Sequence, residues 1–263
     1  MATQLPNDFQ QMQVAAKYEL LKYLRGKKLI IYGALILLVL GLLTLAPSLL
    51  GGSLPSEADA FAAHYLIFLT SLAIIGITLF GSDSLATEFE HRTGLLMFTR
   101  PMKRESLFIA KFLASYAVTL VMVLAFYLVI MVLSQVVTGS IDSALFTSLG
   151  MAILYVLAVT ALGFALSAFM SRGATAAILL FALMMLILPI FETVLMMADI
   201  DPWFSIHYAG EAVYHSVAGA MLVPTGMGVI EYNPETLRSA LVLGAYTVVL
   251  SALALFKFKR REL

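Results

Sequence analysis

Apolar residues in this chain run in long, nearly unbroken stretches rather than in the alternating pattern of a half-buried strand or the three-to-four spacing of an amphipathic helix. Six stretches, at about 29–50, 61–81, 108–137, 144–170, 174–197 and 237–257, reach the roughly 20 residues a helix needs to cross a hydrocarbon core about 30 Å thick. The third and fourth are longer than that and must tilt, kink or protrude. Pro47 and Pro189 are the candidate breaks. The first apolar run begins after residue 28 and is too long for a cleaved signal peptide, so it reads as a retained span. Ahead of it, residues 9–27 carry Val14, Tyr18, Leu21 and Leu24 at helical spacing, with Lys17, Lys22 and Arg25 turned elsewhere. That pattern predicts an amphipathic helix in the membrane interface, the alternative being a simple extension of span one.

Composition agrees. Of 263 residues, 61% are apolar and 12% charged, against roughly 45–50% and about 25% in soluble domains. Mean hydropathy is +0.96. No cysteine is present, which removes disulfides, thiolate metal sites and cysteine nucleophiles. Net charge is zero, so charge favours neither nucleic acid nor an acidic partner. The placement of charge says more. Basic residues cluster at Lys17, Lys22, Arg25, Lys27 and Lys28, at Arg92, Arg100, Lys103, Arg104 and Lys111, at Arg172, and at Lys257, Lys259, Arg260 and Arg261. Arg238 alone falls in an odd-numbered loop, and the other charges there are acidic. By the positive-inside bias both termini and the even loops are cytoplasmic, and the protein sits in the cytoplasmic membrane.

The whole chain, 1–263, therefore reads as one all-α transmembrane domain. It has six transmembrane helices, a cytoplasmic or interfacial helix over 1–28, a cytoplasmic loop over 82–107 and an external helical loop over 198–236 between spans five and six. The segment from Gly81 to Lys111 holds nine of the 32 charged side chains. Ser82 or Ser84 is placed to cap a short helix through about Arg92, with acids early and a basic residue late. Its face Leu85, Glu88, Phe89, Arg92 suits docking to a protein better than lying in lipid, although purely topogenic charges give the same pattern. Arg100-Pro101 forces an extended turn before the next helix. In the external loop, FSIHYAGEAVYHSVAGAML predicts a helix that dips into the outer leaflet and packs on the ends of the spans, with Pro224, Gly226 and Gly228 turning the chain back.

Several chemistries find no residues. The chain lacks a P-loop, an H-E-x-x-H and a G-x-S-x-G, so no catalytic or cofactor-binding residue is assigned. His207 and His215 share the external loop with Asp199, Asp201 and Glu211, but the spacing fits no recognised ligand pattern, and no metal is assigned. Glu192, near the outer end of span five, is the one mid-span candidate for a substrate-path contact, and its length favours snorkelling outward instead. The Met184-Met185 and Met196-Met197 pairs read as packing residues, and Gly163 with Ser167 as a site of close helix approach.

In the stretch FEHRTGLLMFTRPMKRESLFIAKF, residues Glu88, Glu90, Arg92-Thr93-Gly94, Pro101, Arg104 and Lys111, preceded by Asp83, resemble the permease subunits of ATP-binding-cassette exporters of the second export class, the type V transporter fold. Many relatives read Gly-Thr at 93–94 and glycine at 110. The order of features is similar over essentially the whole chain. The resemblance implies a permease without ATPase activity, which binds no cofactor itself. Two copies would sit on two ATPase subunits that hold ATP and Mg, the permease pair being a homodimer or heterodimer in membrane lipid. The segment from Ser84 to Arg92 would be the coupling helix, with Asp83, Leu85, Glu88, Phe89, Glu90, Arg92 and Arg104 meeting the ATPase. A stand-alone secondary carrier or channel is the alternative. A membrane enzyme is the weaker one, since no set of polar groups converges in the spans.

Overall fold

The computed structural model describes residues 7–90, 103–225 and 228–260. Six helices are long and apolar enough to cross a membrane: Lys27–Leu49, Ala58–Phe80, Arg104–Val137, Ala144–Phe169, Gly173–Met197 and Thr236–Arg260. These are spans one to six, and the chain is a multi-pass membrane protein. Burial sorts them. About two-thirds of the apolar window is buried in spans two and four, against 17% in spans one, five and six. Spans two and four therefore form the interior, and the other three turn apolar faces outward. Span four can lie inside because small residues, Ala158, Ala161, Gly163, Ala165 and Ala168 among them, let neighbours approach. A Cβ at Gly163 would stand 3.2 Å from Ile77 of span two and 3.3 Å from Leu180 of span five.

The two prolines act differently from simple breaks. Span one runs through Pro47 and ends two residues later at Leu49. Span five stays continuous but contains a π-turn at Leu183–Ile187, just before Pro189. Pro189 has no amide hydrogen for the carbonyl four residues earlier, and the wider turn absorbs the fault.

At one end of the bundle, the start of the chain meets the start of span three and the end of span six. Lys103 Nζ is 2.5 Å from Asp8 Oδ2, Arg104 Nη1 donates to the Lys259 carbonyl at 2.9 Å, and Lys259 pairs with Glu105. Span three has 34 residues, about 51 Å at 1.5 Å per residue, so its first turns reach beyond a 30 Å core to make these contacts. The N-terminal helix, Asp8–Arg25, packs on span three through buried Glu19 and Tyr23. Val14, Tyr18 and Leu24 face outward.

At the far end, residues 198–236 hold a helix, Ile206–Ala218, ended by Gly219 at a φ of 72° that glycine adopts without strain. An antiparallel hairpin follows, strand β1 (Met221–Thr225) pairing with strand β2 (Gly228–Tyr232) in the register Met221 to Tyr232 and Thr225 to Gly228. The hairpin is the one departure from a helical fold among the described residues. Its β-branched Val223, Thr225, Val229 and Ile230 favour strand over helix.

Candidate functional site

The residues that follow span two turn back into the bundle. Leu85 and Ala86 are fully buried, Leu85 among Phe108 of span three, Phe164 and Ala168 of span four, and Phe258 of span six. Their two amides donate to one acceptor, Ser167 Oγ of span four, at 3.0 and 2.9 Å. Ser84 Oγ donates to the Phe80 carbonyl and meets the Tyr23 hydroxyl at 3.0 Å. That hydroxyl also meets Ser115 Oγ of span three at 3.0 Å.

Charges close the arrangement. Lys111 of span three, 1% exposed, lies 2.8 Å from Glu88 Oε1 and 3.3 Å from Glu19 Oε2, and Glu19 Oε1 takes Lys22 at 2.9 Å. Burial pushes the Glu19 carboxyl up, but the charges of Lys111 and Lys22 outweigh it and leave the group below its ordinary value. Lys28 of span one is 2.6 Å from Asp83 Oδ2 and donates to the Leu79 carbonyl at 2.8 Å. Glu90 Oε2 accepts the amide of Gly173, the first residue of span five, at 2.9 Å, placing negative charge at a helix N-terminus. A Cβ at Gly173 would stand 2.6 Å from Thr87 Cγ2, so glycine is what allows this contact. Residues 83–90 are thus bonded to the N-terminal helix and to spans one, three, four and five. A cavity of about 460 Å³ opens beside them, between Lys22 and Lys28 on one side and Asp83, Thr87 and Glu88 on the other.

Of the residues singled out in the sequence, Asp83, Glu88, Glu90 and Arg104 all have internal partners. Leu85 does not face outward: span four leaves a small-residue hollow for it, and it is unavailable to a partner. The described short helix is Ala86–Glu90. Ser82 and Ser84 do not cap it, because their hydroxyls bond back to the Thr78 and Phe80 carbonyls at the end of span two. Arg92, the side chain of Phe89 and residues 91–102 as a whole lie outside the described residues. Sequence reasoning missed Glu19, Tyr23 and Ser115, and it took Ser167 for packing alone. The signal for the first two was a polar pair four apart on the helix face opposite the apolar stripe.

A second polar cluster lies at the far end. Glu192, 2% exposed, does not snorkel outward. Its carboxylate accepts the Tyr208 amide at 3.0 Å, the Ser205 hydroxyl and His207 Nδ1 at 2.8 Å, capping helix Ile206–Ala218 from span five. The Thr70 hydroxyl of span two donates to Glu211 Oε1 at 3.1 Å. Gly210 lets this helix touch span four, where a Cβ would stand 2.2 Å from the Tyr155 ring. His215 does not join His207: its Nδ1 bonds the Gly219 carbonyl at 2.7 Å, and its ring lies against Tyr232.

The sequence pattern of one family, described as Protein of unknown function (DUF2705), matches residues 48–263. No curated protein matches the chain.

Proposed function

We propose that this chain, which belongs to the DUF2705 family, is the membrane permease subunit of an ATP-driven exporter, with residues 81–90 passing the movement of a separate ATPase chain to the spans. One observation carries the reading: a single ten-residue segment between spans two and three is bonded to the N-terminal helix and to spans one, three, four and five. A displacement there reaches most of the bundle, because packed helices shift as units rather than deform. Such a joint is of use to a protein that is pushed from that end. Among the described residues, all the basic ones except Arg238 lie at or near the same end, and by the positive-inside bias that end, with both termini, faces the cytoplasm in this reading. In the cytoplasmic membrane, the outward stripe of Val14, Tyr18 and Leu24 lies in the lipid interface.

In this reading two ATPase subunits, which keep ATP and Mg to themselves, serve a pair of permeases. Nucleotide moves the pair only as far as the ATPase binds one conformation better than the other. Leu85 anchors the segment from inside, so contact with the ATPase falls to its other residues, with Phe89 as the sequence-based anchor and Arg92 at the rim. A stand-alone secondary carrier is the second reading, favoured by the buried Glu192, His207 and Glu211 at the far end.

Purification of the tagged chain from its native membrane decides between them. The exporter reading expects a P-loop ATPase to co-purify, and expects loss of transport when that ATPase's P-loop lysine is replaced. An ATPase-free assembly that transports on an ion gradient alone overturns it.

A further inference from the structure

Glu192, His207 and Glu211 stand in a row, carboxylate, imidazole and carboxylate, where helix Ile206–Ala218 begins against span five. His207 Nδ1 is 2.8 Å from Glu192 Oε2, and Nε2 is 3.8 Å from Glu211 Oε1. We propose that this row is a proton-binding site: protons held by His207 and Glu211 keep the helix docked on spans two and five, and their release lets it move.

The geometry limits where protons can go. Nδ1–H is committed to Glu192, so Nε2 and the Glu211 carboxyl share the exchangeable ones. With both empty, two carboxylates face each other across a neutral ring in a buried site. One proton makes an imidazolium between them, and a second makes Glu211 neutral, so each uptake removes buried unbalanced charge. The same groups attach the helix. Glu192 holds Ser205 and the Tyr208 amide, and Glu211 holds Thr70 of span two.

Tyr155 of span four supplies an independent observation. Its hydroxyl is buried, has no hydrogen-bond partner among the described residues, and lies within electrostatic reach of Glu211 and Glu192. A buried unpaired hydroxyl is costly, and it is the docked helix, packed through Gly210 on the Tyr155 ring, that helps to cover it.

Among the described residues the surroundings add no competing cation. Tyr232 of strand β2 faces both carboxylates. Tyr208 faces Asp201, which Arg238 of span six neutralises at 3.0 Å. Among the described residues, His207 is the one base whose charge acts on Glu211. Burial alone would lower the His207 pKa, but its bond to Glu192 and the two carboxylate charges raise it overall, and burial raises that of Glu211. A raised value in the docked state favours docking below the ordinary titration range and loses that favour as pH rises through it. Both groups act in the same direction, so at this end of the helix acid favours docking and alkali release. His215 near the other end, whose pKa burial lowers, acts the opposite way and is the same in the wild type and in Glu211→Gln.

The cysteine-free chain makes the test direct. Ile67 and Ala218 are exposed and border one cavity between span two and the helix. Nitroxides on Ile67→Cys and Ala218→Cys, in vesicles without any ATPase, report their separation. One short distance is expected at about pH 5.5, with a longer population growing by about pH 8.5. Glu211→Gln, which keeps an acceptor for Thr70, should show a smaller longer-distance population at about pH 8.5 than the wild type, the remainder being the response of His207. An unchanged wild-type distribution across this range, or an equal response in Glu211→Gln, overturns the proposal. No ATPase takes part, so the result is separate from the fate of the exporter reading.

Discussion

Lys111 Nζ lies 2.8 Å from Glu88 and 3.3 Å from Glu19, with 1% of its side chain exposed. One ammonium from span three therefore fastens the 81–90 segment to the N-terminal helix. Glu19 and Glu88 are themselves largely covered, at 10% and 14% exposure, so both carboxylates stay mostly desolvated if the lysine is lost.

Lys111→Met should for that reason cost about 3–5 kcal/mol, the range for breaking a buried pair from one side. Thermal unfolding of the purified permease is the measurement. Adding Glu19→Gln and Glu88→Gln to Lys111→Met should recover much of the loss, because the carboxylate charges that Lys111 balanced are then gone.

Acid should detach the N-terminal helix. The Glu19 pKa is held below its ordinary 4.5, against burial, by Lys111 and Lys22. A depressed value gives stability that is present above the ordinary value and lost as pH falls through the depressed one. Hydrogen exchange at residues 8–25 should rise as pH drops below about 4.5, after correction for the intrinsic rate, and Glu19→Gln should remove the part of that rise due to this carboxylate.

Ser167→Ala should strand the amides of Leu85 and Ala86 in an apolar hollow, at about 1–3 kcal/mol for each unsatisfied group. Ser167→Cys keeps a weak acceptor and should fall between Ser167→Ala and the wild type in melting temperature.

Gly173→Ala should drive its methyl into Thr87 Cγ2, whose hydroxyl is already committed to the Asp83 carbonyl at 2.9 Å. Overpacking of this kind costs about 1–3 kcal/mol. Thr87→Ser removes the opposing methyl, and the double variant should be more stable than Gly173→Ala alone.

Single cysteines test the orientation. A cysteine at Ala220, exposed beyond the far-end helix, should react with an impermeant reagent on intact cells. One at Lys17 should react only after permeabilisation.

The spans were legible because lipid demands about 20 apolar residues in a row, a signal that needs no knowledge of neighbours. The hub was only partly legible. Asp83, Glu88 and Glu90 stood out as charges beside the membrane, but their partners Lys28, Lys111 and the Gly173 amide are 55, 23 and 83 residues away in sequence. Leu85 was read as outward because helical spacing placed it beside Glu88. The Phe164 and Ala168 hollow that receives it belongs to span four and leaves no mark on the local pattern. Glu192 was misjudged for the same reason: the helix N-terminus that turns it inward starts 14 residues later. The β-hairpin escaped because prolines and glycines mark a turn without fixing what flanks it.

The central claim is that ATP-driven closure of a partner ATPase moves this bundle through residues 81–90. Nitroxides at Leu24 of the N-terminal helix and Phe169 of span four, both exposed, bracket that segment in the reconstituted permease and ATPase. The account predicts that trapping the ATPase with ATP shifts the distance between them, and that an ATPase lacking its P-loop lysine leaves it in place. ATP turnover with an unmoved distance would contradict it.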